Sequence, residues 1–474
     1  MTSTPIITLF ERLTQFKRPK SSRPLNGWPQ NRASLPRPVR HSPVAMRYLA
    51  FLSPLAWDQL PQRAPRPYSQ QPAVSYAAFA AACLIKLDQN LVSMSDLRDY
   101  LLDHPQLGWL LGFEPSQKLP TARHLTRLLR TTPNDVFQIL LDSTVHLLQL
   151  ELAQLGFTLG QAISLDTKHI LAWVAENNPK AYISEGRRLD KSRQPQGDLD
   201  CKLGCKRKRN QPPLTEQGHP HTPTTEFRPP TNFSVLDEYF WGYASGVIAT
   251  KIPGWGEFVL AELTQTFDYD DLTYFFPLLN QVERRLGHKP RYGAFDAAFD
   301  AWYVYEYFYQ AGGFAAVPFV GRGGYKHRTF DDNGLPLCQA GLAMPLKSTY
   351  WSKSSLVEHE AGRYACPLLF PQPTDSACPI DYKNWAKGGC LTSMPTATGA
   401  RLRYQLDRQS DAYKQLYNQR TANERINSQA KTLGIERPKL RNYRAIANRN
   451  TLIYILINLR ALHRIRQQKS RSVQ

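Results

Sequence analysis

"YNQRTANERINSQAK", Tyr417 to Lys431, holds one acid, Glu424, among Tyr417, Arg420 and Lys431. Wound as a helix at about 100° per residue, these four side chains fall within roughly 60° of arc. Ala412, Leu416, Ala422, Ile426, Ala430 and Leu433 fill an adjoining stripe about 120° wide. One continuous helix is therefore expected, its apolar stripe on the core and its polar stripe along the edge of the buried face. An ordinary helical ion pair explains a cation beside a carboxylate. It does not explain the tyrosine in line, nor why one narrow face carries all four.

Upstream of this helix the hydrophobic period changes to two. "QAISLD" reads as a strand ending near Asp166. "YFWGYASGVIATKI" and "EFVLAELTQTF" read as the next two strands. "DDLTYFFPLLNQVERRLG" is a helix with acids at its start and Gly287 at its end. "PRYGAFD" is a strand, "AWYVYEYFYQAG" a helix and "GFAAVPFV" a strand. This order predicts an α/β sheet with helices on its faces. Asp166 and Asp296 then close two strands. Taken singly, each is more simply a turn former or helix cap. Taken with Glu424, they converge at one edge of a sheet. Three carboxylates without a His or Cys partner suit hard ions such as Mg²⁺ or Mn²⁺. Two such ions about 3.5–4 Å apart stabilise the attacking and leaving oxygens of a phosphodiester displacement. Asp300 competes for the second position, but Asp296 directly follows its strand.

Tyr417, Arg420, Glu424 and Lys431 reproduce, without a gap, the Y-R-E-K signature. With it the chain resembles the fourth family of bacterial insertion-sequence transposases, of the DDE class. At ~5% per residue type, four fixed positions match by chance in only about a few per thousand chains of this length. "SLDTKH" is similar to the first-Asp strand of that family and "YGAFDAAFD" to its second-Asp motif. The interval 424 − 296 = 128 matches the family's habit of inserting a β-rich domain before the Glu helix. The resemblance covers residues 160 to 465 well and the N-terminal helices more loosely. It implies a ribonuclease-H-like core in which Asp166, Asp296 and Glu424 hold two Mg²⁺ or Mn²⁺ ions. It also implies that Tyr417, Arg420 and Lys431 contact the terminal phosphates and nucleotides of the element. The partner would be double-stranded DNA, at the element's inverted-repeat ends and at the target. A homodimer would bring two ends together in a synaptic complex. The implied reaction is strand cutting by metal-activated water, then attack of the freed 3′-hydroxyl on DNA. The alternatives are an inactive or domesticated DNA-binding copy, and a metal-dependent nuclease or resolvase on the same core.

The composition agrees with a polyanionic partner. The 474 residues carry 59 Lys and Arg against 39 Asp and Glu, a net charge of +20. No run of 18 or more apolar residues occurs, so no membrane span is expected. The N-terminus lacks the pattern of a secretory signal, and seven Cys fit a reducing compartment. A cytoplasmic, nucleoid-associated bacterial protein is expected. Residues 1–72, rich in Pro and Arg, read as a flexible basic arm. Residues 73–158 read as a helical DNA-binding domain with Arg123, Arg127 and Arg130 on one helix. Residues 159–320 and 405–466 form the catalytic core, with a polar mobile loop at 185–233. Residues 321–404 are a β-rich insertion and 467–474 a basic tail.

Weaker signals lie in the insertion. Cys338, Cys366, Cys378 and Cys390 would suit a structural zinc, with His327 and His359 nearby. The spacings lack the paired C-x2-C form, so scattered free thiols are the expectation. Cys201 and Cys205 also read as unpaired thiols. Trp351 and Trp385 could stack on a flipped base, though ordinary packing is the simpler reading. "GRGGYKHR" has the glycines and cations of a backbone-following loop.

Overall fold

The computed structural model describes residues 35–63, 74–113, 119–178, 180–206, 238–320, 328–353 and 356–472. Six strands form its main sheet: β1 (Ala162–Leu171), β2 (Lys202–Lys206), β3 (Glu238–Ile252), β4 (Gly256–Thr266), β5 (Tyr292–Ala294) and β6 (Phe314–Ala316). β4, β3 and β1 run antiparallel; β1, β5 and β6 run parallel. β2 pairs with β3 at Lys202–Gly242 to Lys206–Glu238, just beyond the Tyr243–Thr266 pair where β4 stops. The molecule is thus mixed α/β, as the periodicity indicates.

The period-2 alternation of β3 divides the interior. Trp241, Tyr243, Val247 and Ala249 face one core; Phe240, Ala244, Ile248 and Ile252 face the other. On β1, Ile163 and Leu165 belong to the second core, which leaves Ser164 and Asp166 on the first side. Twelve helices are numbered here in chain order. α1 (Pro43–Leu52), α2 (Tyr76–Asp88), α3 (Met94–Asp103), α4 (Pro105–Leu110), α5 (Ala122–Thr131) and α6 (Asp135–Ala153) precede the sheet. α7 (Phe275–Leu286) and α8 (Trp302–Gln310) cover the second face. α9 (Thr398–Gln405) and α10 (Asp411–Tyr417) lead to α11 (Thr421–Thr432), and α12 (Tyr443–Ser472) ends the described chain. α11 and α12 cover the first face, where Ala422, Ile426, Ala430, Ile453 and Ile457 are buried.

Several sequence expectations need correction. The basic arm expected over residues 1–72 contains ordered structure from residue 35. Ser42 caps α1 and Pro43 opens it, while Val39, Tyr48, Leu52 and Trp57 are buried. Asp88 fixes this segment to α12. It accepts from Arg47 (2.8 Å), Tyr48 (2.9 Å) and Arg460 (2.8 Å). The loop expected at 185–233 is structured up to residue 206. There Asp198 and Cys201 are buried, Asp198 accepts from the Tyr243 hydroxyl at 2.9 Å, and β2 extends the sheet. Residues 467–472 continue α12 rather than forming a tail. β1 does not end at Asp166 but runs five residues on to Leu171.

One described helix, α6, has the length and composition to cross a bilayer. Here its apolar side, with Phe137, Leu141, Val145, Leu148 and Leu152, is buried in the two cores. Its Glu151 is paired with Arg466 and Lys469 of α12.

The insertion holds a three-stranded antiparallel sheet, β7 (Leu346–Ser352), β8 (His359–Ala365) and β9 (Leu391–Pro395). A small core of Met344, Tyr364, Met394 and Ala400 backs it. It joins the main body where α9 crosses α8 at Gly399. A Cβ there would lie 2.4 Å from the Trp302 carbonyl oxygen, so only glycine permits the crossing. The same crossing is held by the Gly399 amide, which donates to Glu306 at 2.7 Å.

Candidate active site on the central strand

Asp166 sits mid-way along β1, on the face beneath α11. Its Oδ1 accepts from the Thr167 amide at 2.9 Å and its Oδ2 from Asn427 Nδ2 of α11 at 2.9 Å. The next strand in the sheet brings up Asp296. Ser164 pairs with Ala294 across the parallel β1–β5 contact, and Asp166 and Asp296 each lie two residues further on. Asp296 caps a 3-10 turn at Ala297–Phe299, accepting from the Ala298 amide at 2.9 Å. Burial and then the Asp296 charge push the Asp166 carboxyl up to about 6, with Arg420 and the Thr167 amide pulling the other way.

On the opposite face of β1, Thr167 donates to Asp271 at 2.7 Å. Burial raises the Asp271 carboxyl and the Asp296 charge adds to it. Asp271 is therefore a further acid in the field of Asp166 and Asp296. The sequence reading treated it only as an acid at a helix start.

The fate of Glu424 is different. Its exposed carboxylate accepts from Arg420 at 2.9 Å, the i,i+4 pair of an ordinary helix surface. Arg420 also lies over the Tyr417 ring, 5.7 Å from its centre, and Tyr417 stacks on Tyr413 at 5.8 Å. Lys431 is two turns away and reaches Glu436 at 3.7 Å, an acid it shares with Lys168. So Tyr417, Arg420 and Glu424 form one contiguous group and Lys431 stands outside it. Among the described residues, no three His, Cys, Asp or Glu stand together as a ready metal-binding set.

The expected continuous helix is interrupted. A 3-10 turn, Asn418–Arg420, separates α10 from α11. A 3-10 turn advances about 120° per residue, so three residues rotate the preceding stripe by roughly 60°. Tyr413 is buried with Leu416 beside Ala316 while Ala412 is exposed, so α10 does not keep the expected stripe at Ala412.

Asp300 is fully committed elsewhere. Arg403 grips it with two bonds of 2.9 and 2.8 Å, and Tyr305 (2.9 Å) and the Val320 amide (2.8 Å) complete its shell. This buried pair anchors α9 to the core and leaves Asp300 no free acceptor for an ion.

The contact between β1 and α11 has one unusual property. Ser164 Oγ, both amide atoms of Asn423, and Asn427 Oδ1 are buried without a hydrogen-bond partner. Such atoms carry a desolvation cost of a few kcal/mol each unless something polar reaches them. Asn427 bonds Asp166 directly, Asn423 lies one turn before it on α11, and Ser164 lies two residues before Asp166 on β1, so neutral side-chain oxygens accompany the carboxylate. That donor set fits a hard divalent ion with its water shell.

In the insertion, Cys366 and Cys390 lie one step beyond the Ala365–Leu391 pair, on facing strands. Cys338 and Cys390 both border the small core there, and all described cysteines are free thiols. Three of the four insertion cysteines thus share one end of the small sheet. Trp351 is exposed and donates to Glu358 at 3.1 Å. Of "GRGGYKHR", all but Arg328 lies outside the described residues, His327 included. Arg123, Arg127 and Arg130 are exposed on α5.

No family model, no curated protein and no solved structure matches this chain.

Proposed function

We propose that this chain is a DDE transposase of an insertion sequence, built on a ribonuclease-H-like core. One observation carries the reading. The half-buried Asp166 of the central strand lies level with Asp296 of its parallel neighbour, beneath the helix that bears Glu424. Three antiparallel strands followed by two parallel ones support the ribonuclease-H-like reading of the sheet. Asp166, Asp296 and Glu424 are the proposed ligands of Mg²⁺ or Mn²⁺, which when bound would supply the Lewis acid for phosphodiester hydrolysis. The chain's own part is to hold two carboxylates together against their repulsion and away from bulk water. Arg420 and Tyr417 lie next to these acids and are proposed to grip the terminal phosphates of the element. For Glu424 to reach Asp166, its bond to Arg420 must open, and an incoming phosphate is the natural competitor for that guanidinium. The exposed arginines of α5, and the cleft where Arg130, Lys202 and Arg444 meet, continue the basic surface over which DNA would lie.

The test is cutting of DNA that carries the element's ends. With Mg²⁺, the purified chain is expected to nick such ends and to leave random duplex intact. Asp166→Asn and Glu424→Ala are expected to abolish cutting while end binding persists. Equal cutting of any duplex would replace this reading with a nuclease. Retained cutting by Glu424→Ala would remove Glu424 from the site.

A further inference from the structure

The residue of α11 that touches Asp166 is Asn427, one turn beyond Glu424. On a helix the two share a side, three positions apart. Their surroundings differ sharply: Glu424 is exposed and bound to Arg420, while Asn427 is 8% exposed and bound to Asp166. Asn427 makes one of the four side-chain hydrogen bonds open to an asparagine. Its Nδ2 donates to Asp166 Oδ2 at 2.9 Å, and its Oδ1 is buried with no partner. A side chain needed merely to fill this position could be apolar and would avoid that desolvation cost. An aspartate would set a third charge against Asp166 and Asp296. Asparagine can donate to a carboxylate through Nδ2 and also offer a neutral carbonyl oxygen.

We propose that Asn427 is a positioning residue with two settings. In the ion-free chain its amide NH₂ clamps the Asp166 carboxylate. When a divalent ion loads, the amide turns over, frees Asp166 Oδ2 and presents Oδ1 as a neutral oxygen donor to the ion or its water shell. Asn423, four residues earlier, and Ser164, two residues before Asp166, supply the other unpartnered polar atoms around this exchange. This keeps two acids ordered before the ion arrives, so the site does not have to assemble around it. The inference rests on the proposed metal site. It adds a residue that the Y-R-E-K pattern does not contain.

Mn²⁺ alone, titrated into the full chain without DNA, is the probe. Asp166→Asn should abolish Mn²⁺ binding. If the unmodified chain itself binds no Mn²⁺, both the metal-site reading and this inference fall. Asn427→Ala should weaken Mn²⁺ about tenfold or more, the usual loss for an outer-shell partner of a metal ligand. Asn427→Asp should tighten Mn²⁺ and lower the melting temperature in its absence, because it adds a carboxylate beside Asp166. If Asn427 is only a strut between helix and strand, Asn427→Ala will melt earlier yet bind Mn²⁺ as the unmodified chain does. That result overturns the inference and leaves the Asp166 site standing. Should Asn427→Ala not fold, Asn427→Asp decides alone, since unchanged or weaker Mn²⁺ binding by it is equally fatal.

Discussion

Asn458 and Asn427 are both buried asparagines on helices that pack against the same sheet face, yet they are finished differently. Asn458, on α12, is saturated: it accepts from the Val259 amide at 2.9 Å and donates to the Val259 carbonyl at 2.8 Å and to Thr144 at 3.0 Å. Its neighbours follow suit. Asn448 donates to the Leu129 and Thr132 carbonyls, and Glu262 accepts from Thr451 and from Gln138. Arg285 donates in turn to Gln138 at 2.6 Å. Glu262 Oε2, Asn450 Oδ1 and Thr132 Oγ1 are the open atoms of this seam. Asn427, Asn423 and Ser164, by contrast, leave most of their polar atoms open around Asp166. A largely bonded polar seam fixes parts to one another, here the N-terminal helices, β4 and α12. An unsaturated one spends stability on a position where something else must bind.

The comparison breaks most visibly if Asn458 proves dispensable. Asn458→Ala strands the Val259 N–H and C=O beside the bulge where β3 and β4 shift register. Two unpaired backbone groups cost about 1–3 kcal/mol each, so a loss of about 3 kcal/mol or more is expected in denaturant unfolding. A loss under about 1 kcal/mol would mean that the seam does not hold the domains together.

The second effect is a pH dependence. Burial pushes the Glu262 carboxyl from its usual 4.5 up to about 7, with Thr451, Arg285 and Gln138 opposing. The folded chain therefore binds this proton more tightly than the unfolded chain does. Between about pH 4.5 and 7 the folded state holds the extra proton, so stability falls as pH rises through that window. The full difference is on the order of 3 kcal/mol. Glu262→Gln should flatten the slope of unfolding free energy above pH 6. Below pH 6 only the share of Asp166, itself raised to about 6, should remain. An unchanged slope above pH 6 would assign the titration to another group.

The third effect has the opposite sign. Ser164→Ala removes a buried hydroxyl that bonds to nothing, and should stabilise the metal-free chain by about 1 kcal/mol. The same change at a saturated position would destabilise. Thermal unfolding without divalent ions separates the two. A destabilised Ser164→Ala would show that its hydroxyl is partnered in solution, which erases the contrast.

How far these regions can be read from sequence follows from their chemistry. The strands were legible because alternation in "YFWGYASGVIATKI" survives in the fold as two cores. The apolar stripe of α11 was legible for the same reason, at the helical period. The break at Asn418–Arg420 was not, since no Gly or Pro marks it and the turn depends on where Tyr413 packs. Residues 37–60 read as an arm because their Pro and Arg continue the Pro- and Arg-rich stretch that precedes them. Asn427 and Asn458 were invisible as special positions. A polar residue in a helix reads as surface until the partner strand is known. Asp166 and Asp296 could be singled out, but the register that sets them side by side is a property of the sheet.

Arg420→Ala gives the smallest change in stability and the sharpest view of Glu424. The Arg420–Glu424 pair is partly exposed, so its loss should cost no more than about 0.5 kcal/mol in unfolding free energy. The charge balance changes more. Arg420 is a cation whose field reaches Asp166 and opposes the rise of its carboxyl, and its loss removes that counterweight. Mn²⁺ should then bind more tightly to Arg420→Ala than to the unmodified chain, because Glu424 is released and a competing positive charge is gone. End-bearing DNA should bind more weakly, with a shallower dependence on salt. This split, tighter ion and weaker DNA, is what separates a guanidinium that holds Glu424 in reserve from one that only decorates a helix surface. If both affinities are unchanged, the pair is an ordinary surface ion pair, and Asn427 is left as the contact of α11 with Asp166.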